Sequence, residues 1–118
     1  MSMERINQGV RYHDAVIHNG IIYCSGMTAT DRGDDITLQC EGIFYKLDAL
    51  LENCGSDKDH MLHVQVFVKN ASDVAAFNEA WDHWINKETA PSRDLSVTML
   101  GRAAILAEVV VTAAVIEE

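Results

Sequence analysis

The sequence is poor in the residues that define several classes of protein. It has one proline, Pro91, and no proline- or glycine-rich linker, so its 118 residues favour a single domain, 1–118. Lys and Arg number 9 against 18 Asp and Glu, which gives a formal net charge of −9. Because an acidic surface repels phosphate backbones, we expect no nucleic-acid partner.

Cysteines and long apolar segments are also scarce. Cys24, Cys40 and Cys54 are odd in number, lack C-x-x-C spacing and lie among apolar residues, which predicts buried thiols in a reducing compartment. Residues 1–5 lack the apolar core of a signal peptide, and Glu108 interrupts an apolar run too short to cross a bilayer. We therefore expect a cytoplasmic protein without a membrane partner.

Motifs for metal ions and phosphate-bearing cofactors are missing. None of the five histidines belongs to an H-E-x-x-H motif or stands beside a cysteine. His60 and His63 would lie on opposite faces of a strand, a poor arrangement for a metal ion. There is no G-x-S-x-G motif and no P-loop. We expect no metal and no other cofactor.

The apolar periodicity predicts the order β-β-β-α-β-α-β-β. Asn19-Gly20 between two apolar runs predicts a hairpin turn, because both residues tolerate positive φ. Apolar residues three and four apart over residues 36–54 predict a first helix. Asp34 or Asp35 would be its N-cap, and Gly55 would end it.

The second half of the chain repeats strand and helix patterns. Alternation over 62–68 predicts a strand with one buried face. A second helix is predicted for 73–86, with Ser72 as its N-cap. Within that helix the spacing of Trp81 and Trp84 favours core or interface positions over a platform for stacking bases.

Two further strands are predicted near 93–100 and 104–115. A hairpin between them would bring Arg93 and Glu108 near one another. Two helices among these strands can cover only one face of a single sheet, so the other face is either polar or buried by other subunits. Because the last strand is apolar on both faces, its sequence favours burial on both.

Glu108 and Arg93 are the residues that chemistry singles out. A carboxylate within an apolar strand is costly unless it is paired or protonated. Glu108 is therefore a functional acid, a solvent-facing edge charge or a member of a buried ion pair. Arg93 opens the preceding strand, where its forked donors suit a planar carboxylate, and the alternative is a solvated surface charge.

Motifs over nearly the whole chain resemble those of the RidA/YjgF family, also known as the endoribonuclease L-PSP family. In chain order they are Asn19–Gly26, Leu47–Gly55, Val64–Val68, Phe77–Trp81, Ala90–Arg93 and Ala107–Val109. The fifteen-residue step from Arg93 to Glu108 matches the family spacing. Each motif alone is weak, and their ordered combination makes the resemblance specific.

The resemblance implies a chorismate-mutase-like α+β fold, with two helices packed on one face of a β-sheet. It also implies a homotrimer with a central β-barrel and three clefts between subunits. Family members with deaminase activity hydrolyse 2-imino acids, or enamines such as 2-aminoacrylate, to 2-keto acids and ammonium without a cofactor. The alternative is a trimer of the same family that binds small carboxylates without turnover.

The resemblance also assigns roles to individual residues. Arg93 would clamp the substrate carboxylate, and Glu108 would activate the attacking water. The substrate-binding residues would be Tyr12, Ser25, Gly26, Asn78, Trp81 and Leu95. Met27, Leu95 and Trp81 replace residues that are often Gln, Cys and Tyr in the family, and these changes bear on which imine or carboxylate is preferred.

Overall fold

A computed structural model describes residues 2–117 and confirms the predicted order of elements. The strands are β1 (Glu4–Gln8), β2 (His13–His18), β3 (Ile21–Cys24), β4 (Met61–Val68), β5 (Ser92–Val97) and β6 (Ala107–Ala114). The helices are α1 (Ile36–Asn53) and α2 (Val74–Trp84). The fold is therefore α+β, with one six-stranded sheet and two helices.

The strands lie in the order β1-β2-β3-β6-β4-β5. All neighbours are antiparallel except β4 and β5, which are parallel. The predicted hairpin between the last two strands is wrong, because β4 lies between β5 and β6. Burial explains this placement: β6 is apolar on both faces and takes a central position, whereas the more exposed β5 forms an edge.

Local sequence signals correctly predicted the ends of the first helix and the position of the first tight turn. The Asp35 side chain accepts a hydrogen bond from the Leu38 backbone N–H at 3.0 Å, which caps α1. Gly55 follows α1 with φ 80°, and the β2–β3 turn has positive φ at Asn19 and Gly20. These are the conformations that the sequence predicted.

The start of the second helix differs from the prediction. The chain enters α2 through a 3-10 turn, Ala71–Asp73, that includes Ser72. Asp73 occupies the N-cap position and makes no capping hydrogen bond, so the prediction of Ser72 as N-cap is wrong. The helix ends at Trp84, because Ile85 is already extended with ψ 146°.

The core lies between the helices and one face of the sheet. On β6, Ala107, Val109, Val111 and Ala113 are each 0% exposed and face the helices. The intervening residues, Glu108 to Ala114 in alternation, are only half-buried because no helix covers their side. We call this uncovered side the open face. No helix within residues 2–117 is long and apolar enough to span a membrane.

Gln39 is a fully buried polar residue in α1. Its Nε2 donates to the carbonyls of Gly33 at 2.6 Å and Ala104 at 3.0 Å. Its Oε1 accepts from the Leu106 backbone N–H at 3.0 Å. The side chain therefore attaches the β5–β6 connection to the first helix and satisfies backbone groups on both sides.

The three cysteines are free and buried, as predicted. Burial raises the pKa of Cys24 to about 12 and that of Cys40 to about 12, and it also raises the pKa of Cys54. We expect the folded protein to resist thiol reagents at pH 8 and to react fully once unfolded in urea, because the thiolate is the reactive form. Rapid native-state labelling would contradict this.

These thiols also make stability depend on alkaline pH. Above pH ~9 the unfolded chain loses thiol protons that the folded chain retains, so stability should fall as pH rises towards ~12, by at most about 1.4 kcal/mol per pH unit for each thiol. Urea unfolding at pH 8 and pH 10 measures this, and Cys40→Ala should show a smaller pH-linked loss than wild type.

Candidate functional site

Arg93 lies at the sheet edge and points towards the helices. It pairs with Val64 of β4, which is 0% exposed, so the two side chains share the helix-covered face. Arg93 Nη2 donates to Asn78 Oδ1 at 2.9 Å. Its Cζ lies 5.1 Å from the Trp81 ring centroid and 6.0 Å from the Phe77 centroid. The guanidinium is therefore held by α2 and attracted by two aromatic rings.

The second terminal nitrogen of this guanidinium has no protein acceptor. Arg93 Nη1 is buried and makes no hydrogen bond with any described residue. A buried donor without a partner costs about 1–3 kcal/mol, and more when the group is charged. A pocket of about 450 Å³ lies here, lined by Asn78, Trp81, Asp82, Ala90, Pro91 and Arg93. Arg93 lines this pocket, and an anionic oxygen that reached Nη1 from it would satisfy the free donor.

Trp81 and Leu95 support Arg93 from the core. Trp81 is only 7% exposed and packs with Phe44, Phe77 and Trp84 in an aromatic cluster. Leu95 lies on the same face of β5 as Arg93 and packs partly against the core. We call Asn78, Trp81, Arg93 and Leu95 the arginine half-site.

Glu108 lies on the opposite face of the sheet. It pairs with Phe67 on β4, and the next residue, Val109, is the one that faces the helices. The Glu108 carboxylate is half-buried and makes no hydrogen bond or ion pair with any described residue. Among residues 2–117, no side chain or backbone group therefore uses the Glu108 carboxylate as a hydrogen-bond acceptor.

Gly26 lies directly against the Glu108 side chain. A Cβ built on Gly26 would be 2.7 Å from Glu108 Cδ and 3.0 Å from its Cγ, so a larger residue would displace the carboxylate. The Met27 and Val109 backbones hydrogen-bond to each other beside this contact at 2.8 and 3.1 Å. Gly26 and Glu108 form what we call the glutamate half-site.

Ser25 and Tyr12 lie on the chain segments that adjoin this half-site. The Ser25 hydroxyl donates to the His13 carbonyl at 2.7 Å, so it ties the end of β3 to the start of β2. Tyr12 lies in the β1–β2 connection and is 64% exposed. Within one protomer Ser25 therefore has a structural hydrogen bond, and the Tyr12 side chain remains open to solvent.

The structure thus separates the two residues that the sequence singled out. Arg93 and Glu108 face opposite sides of the sheet, so they do not meet within one protomer. The expectation that adjacent pairing of their strands would bring them together is wrong, because β4 intervenes and the register sets opposite faces. Each residue instead belongs to its own half-site.

Two contributors near Arg93 were not among the predicted site residues. Phe77, which the sequence places in the second helix, also lies beneath the guanidinium. His63 bridges Ser92 and Asp94, the two neighbours of Arg93 on β5. The first could have been found from the spacing of Phe77, Asn78 and Trp81 on one helix. The contacts of His63 could be found only once the pairing of β4 with β5 was known.

No group of three or more potential metal-ligating side chains comes together within residues 2–117. The His60 Nδ1 lies 2.6 Å from Asp57 Oδ1 just before β4, away from His63 on the strand. His63 contacts a different carboxylate, that of Asp94, so the two histidines do not share an acidic neighbour.

Comparison with known proteins identifies the family. The family model described as endoribonuclease L-PSP matches residues 3–115. The chain belongs to the RidA/YjgF family. A RutC family protein of Haemophilus ducreyi is 32% identical over 94% of this chain and 95% of its own length. The RutC family protein YoaB of Escherichia coli is 36% identical over 79% of this chain and 81% of its own length.

Solved structures of the RidA/YjgF family have the same fold. The crystal structure of a YjgF family member from Neisseria meningitidis matches with a TM-score of 0.96 and 30% sequence identity. The match covers 100% of this chain and 98% of that one. The sheet and both helices are thus those of a RidA/YjgF-family domain, and the two half-sites lie on that framework.

Proposed function

We propose that this chain is a deaminase that hydrolyses 2-imino acids, or the enamines that precede them such as 2-aminoacrylate, to 2-keto acids and ammonium. The observation that supports it most is the buried Arg93 Nη1 without a protein acceptor. A substrate carboxylate would satisfy this donor and place the neighbouring imine carbon at the pocket. The three free thiols are consistent with a cytoplasmic location.

The geometry calls for a site shared between subunits. Because the half-sites lie on opposite faces, one substrate can contact both only where the β5 edge of one protomer meets the open face of another. The open face offers half-buried apolar residues such as Phe67 and Val110 for such a contact. We infer a homotrimer, with β-sheets around a central barrel and three equivalent clefts.

The chemistry needs only a positioned water and one base. Arg93 holds the carboxylate while Glu108 takes a proton from water, whose oxygen bonds to the electrophilic carbon of the protonated imine. Glu108 then returns the proton to the nitrogen of the resulting amino alcohol. The C–N bond breaks as the carbonyl forms, and the hydroxyl proton passes to the departing ammonia, which leaves as ammonium. A protonated imine is already an electrophile, so this sequence requires no cofactor.

The direct test uses a 2-imino acid generated in the assay by an amino-acid oxidase. We expect the protein to accelerate the release of 2-keto acid over the rate in buffer. The same amount of heat-denatured protein serves as the control. No acceleration at high protein concentration would refute the deaminase proposal.

A second candidate function is binding of a small carboxylate without turnover. The observation in its favour is that the arginine half-site is complete within one protomer, whereas the acid that turnover needs is elsewhere. Binding alone would raise the melting temperature with 2-oxobutanoate in wild type but not in Arg93→Ala. A positive deaminase assay would make this alternative unnecessary.

Arg93→Lys should weaken substrate binding by about tenfold or more, because lysine keeps the charge but loses the forked donors. The change should appear mainly as a higher KM, measured by keto-acid release. Arg102→Lys is the matched control, since Arg102 is exposed and lies outside both half-sites. An unchanged KM in Arg93→Lys would show that Arg93 does not bind the carboxylate.

We do not propose RNA cleavage for this chain, although the matching family is named endoribonuclease L-PSP. The formal net charge of −9 opposes approach of a phosphate backbone. RNA loss that persists in Glu108→Ala would indicate a contaminating nuclease.

A further inference from the structure

A side-chain bridge, made of one hydrogen bond and one ion-pair contact, lies on the open face beneath Arg93. His63 Nδ1 is 2.7 Å from Ser92 Oγ, and His63 Nε2 is 3.2 Å from Asp94 Oδ2. Ser92 and Asp94 flank Arg93 on β5, so their side chains and that of Arg93 leave the strand on opposite faces. We call His63, Ser92 and Asp94 the His63 bridge.

The bridge acts on a strand that has few other attachments. β5 is an edge strand and pairs only with β4. An edge strand is held by one ladder of backbone hydrogen bonds, so side-chain contacts to its single neighbour contribute more to its position. The His63 bridge spans that ladder at the residues on either side of Arg93.

We propose that His63 is a positioning residue for Arg93: its imidazole bridges Ser92 and Asp94, fixes the β5 segment that bears the guanidinium, and thereby strengthens carboxylate binding. This inference rests on the proposed role of Arg93 as the carboxylate anchor. It makes the affinity of the arginine half-site depend on a residue on the other face of the sheet.

Ser92 links His63 to the backbone of β4. Its Oγ donates to the Leu62 carbonyl at 3.1 Å and can accept from the His63 ring, whose Nδ1 lies 2.7 Å away.

Asp94 is the charged group that contacts His63. Its carboxylate is the one within ion-pair distance of the ring among the described residues. The strand neighbours of His63 on this face are Gln65 on β4 and Thr112 on β6, which are uncharged. Both helices lie on the other side of the sheet, so they present no titrating group to the ring.

The first experiment measures calorimetric binding of 2-oxobutanoate to wild type, His63→Ala, His63→Gln and Gln65→Ala. His63→Ala should bind about two- to tenfold more weakly, the range for loss of such hydrogen bonds. His63→Gln should restore affinity, because its amide NH2 carries two N–H donors, one for Ser92 Oγ and one for Asp94. Gln65→Ala, on the same strand and face, should match wild type.

The kinetic constants separate positioning from a role in the chemical step. In turnover assays the His63→Ala change should appear in KM and leave kcat nearly unchanged. Equal affinity for 2-oxobutanoate in wild type and His63→Ala would overturn the inference.

The second experiment needs no ligand. Amide hydrogen exchange of residues 93–97 should be faster in His63→Ala than in wild type, and unchanged in Gln65→Ala. If wild type binds no carboxylate, the proposed function fails, and exchange alone decides whether His63 fixes β5. Unchanged exchange in His63→Ala, or an equal increase in Gln65→Ala, would overturn the role of His63.

Discussion

Glu108→Gln should lower kcat for imine hydrolysis by about 10²- to 10⁴-fold, the usual contribution of a general base. An amide has nearly the same size as a carboxylate but cannot accept the proton from water. The fold should persist, because Glu108 makes no hydrogen bond with any residue from 2 to 117 and its contact with Gly26 is preserved. Keto-acid release measures the loss, and the melting temperature should stay near that of wild type.

Mixing two inactive variants provides the control. Arg93→Ala lacks the carboxylate anchor and Glu108→Gln lacks the base, so neither should turn over alone. If subunits share the cleft, refolding them together should restore activity in about a quarter of the clefts, those that combine both intact residues. A mixture as inactive as its components would show that the two residues do not act across subunits. Full turnover by Glu108→Gln alone would remove the acid from the mechanism.

Gln39→Leu should reduce the free energy of unfolding by about 1–3 kcal/mol. Leucine fills a similar volume but removes the hydrogen bonds to the partly buried Gly33 and Ala104 carbonyls and the Leu106 N–H, and leaving a buried group unsatisfied costs an amount of this order. Urea unfolding measures the difference.

Gln8→Leu is the matched comparison, because Gln8 is exposed on β1 and its replacement should change stability by less than about 0.5 kcal/mol. Equal effects at the two positions would show that the hydrogen bonds of Gln39 do not hold the β5–β6 connection. A loss confined to Gln39→Leu would locate the stabilisation at this buried amide.

The parts of the fold that the sequence predicted well depend on neighbouring residues. The cap at Asp35, the left-handed Gly55 and the Asn19-Gly20 turn are set by interactions within a few residues, so their patterns are visible in one dimension. The prediction of Ser72 as N-cap was also local, but it failed. A short polar segment before a helix can form a 3-10 turn or an extended N-cap, and the same residue types favour both.

The sequence predicted which residues form the candidate site, but not how they are arranged in space. A carboxylate in an apolar strand and an arginine at a strand start are visible in the sequence. Alternation sets which side chains share a face within one strand, but the relation between Arg93 and Glu108 depends on how β5 and β6 each pair with β4. The hydrogen bonds of Gln39 and His63 likewise join segments far apart in sequence, and no local pattern announces them.

The opposite orientation of Arg93 and Glu108 separates two properties that a one-chain active site would keep together. If subunits share the cleft as proposed, a dissociated subunit retains the whole arginine half-site, so dilution should leave it able to capture a carboxylate. The same subunit has no second copy to supply the acid, and specific activity should fall steeply with protein concentration. In one sample, the fraction of subunits that bind a carboxylate would then be insensitive to protein concentration, whereas the turnover per subunit would depend on it.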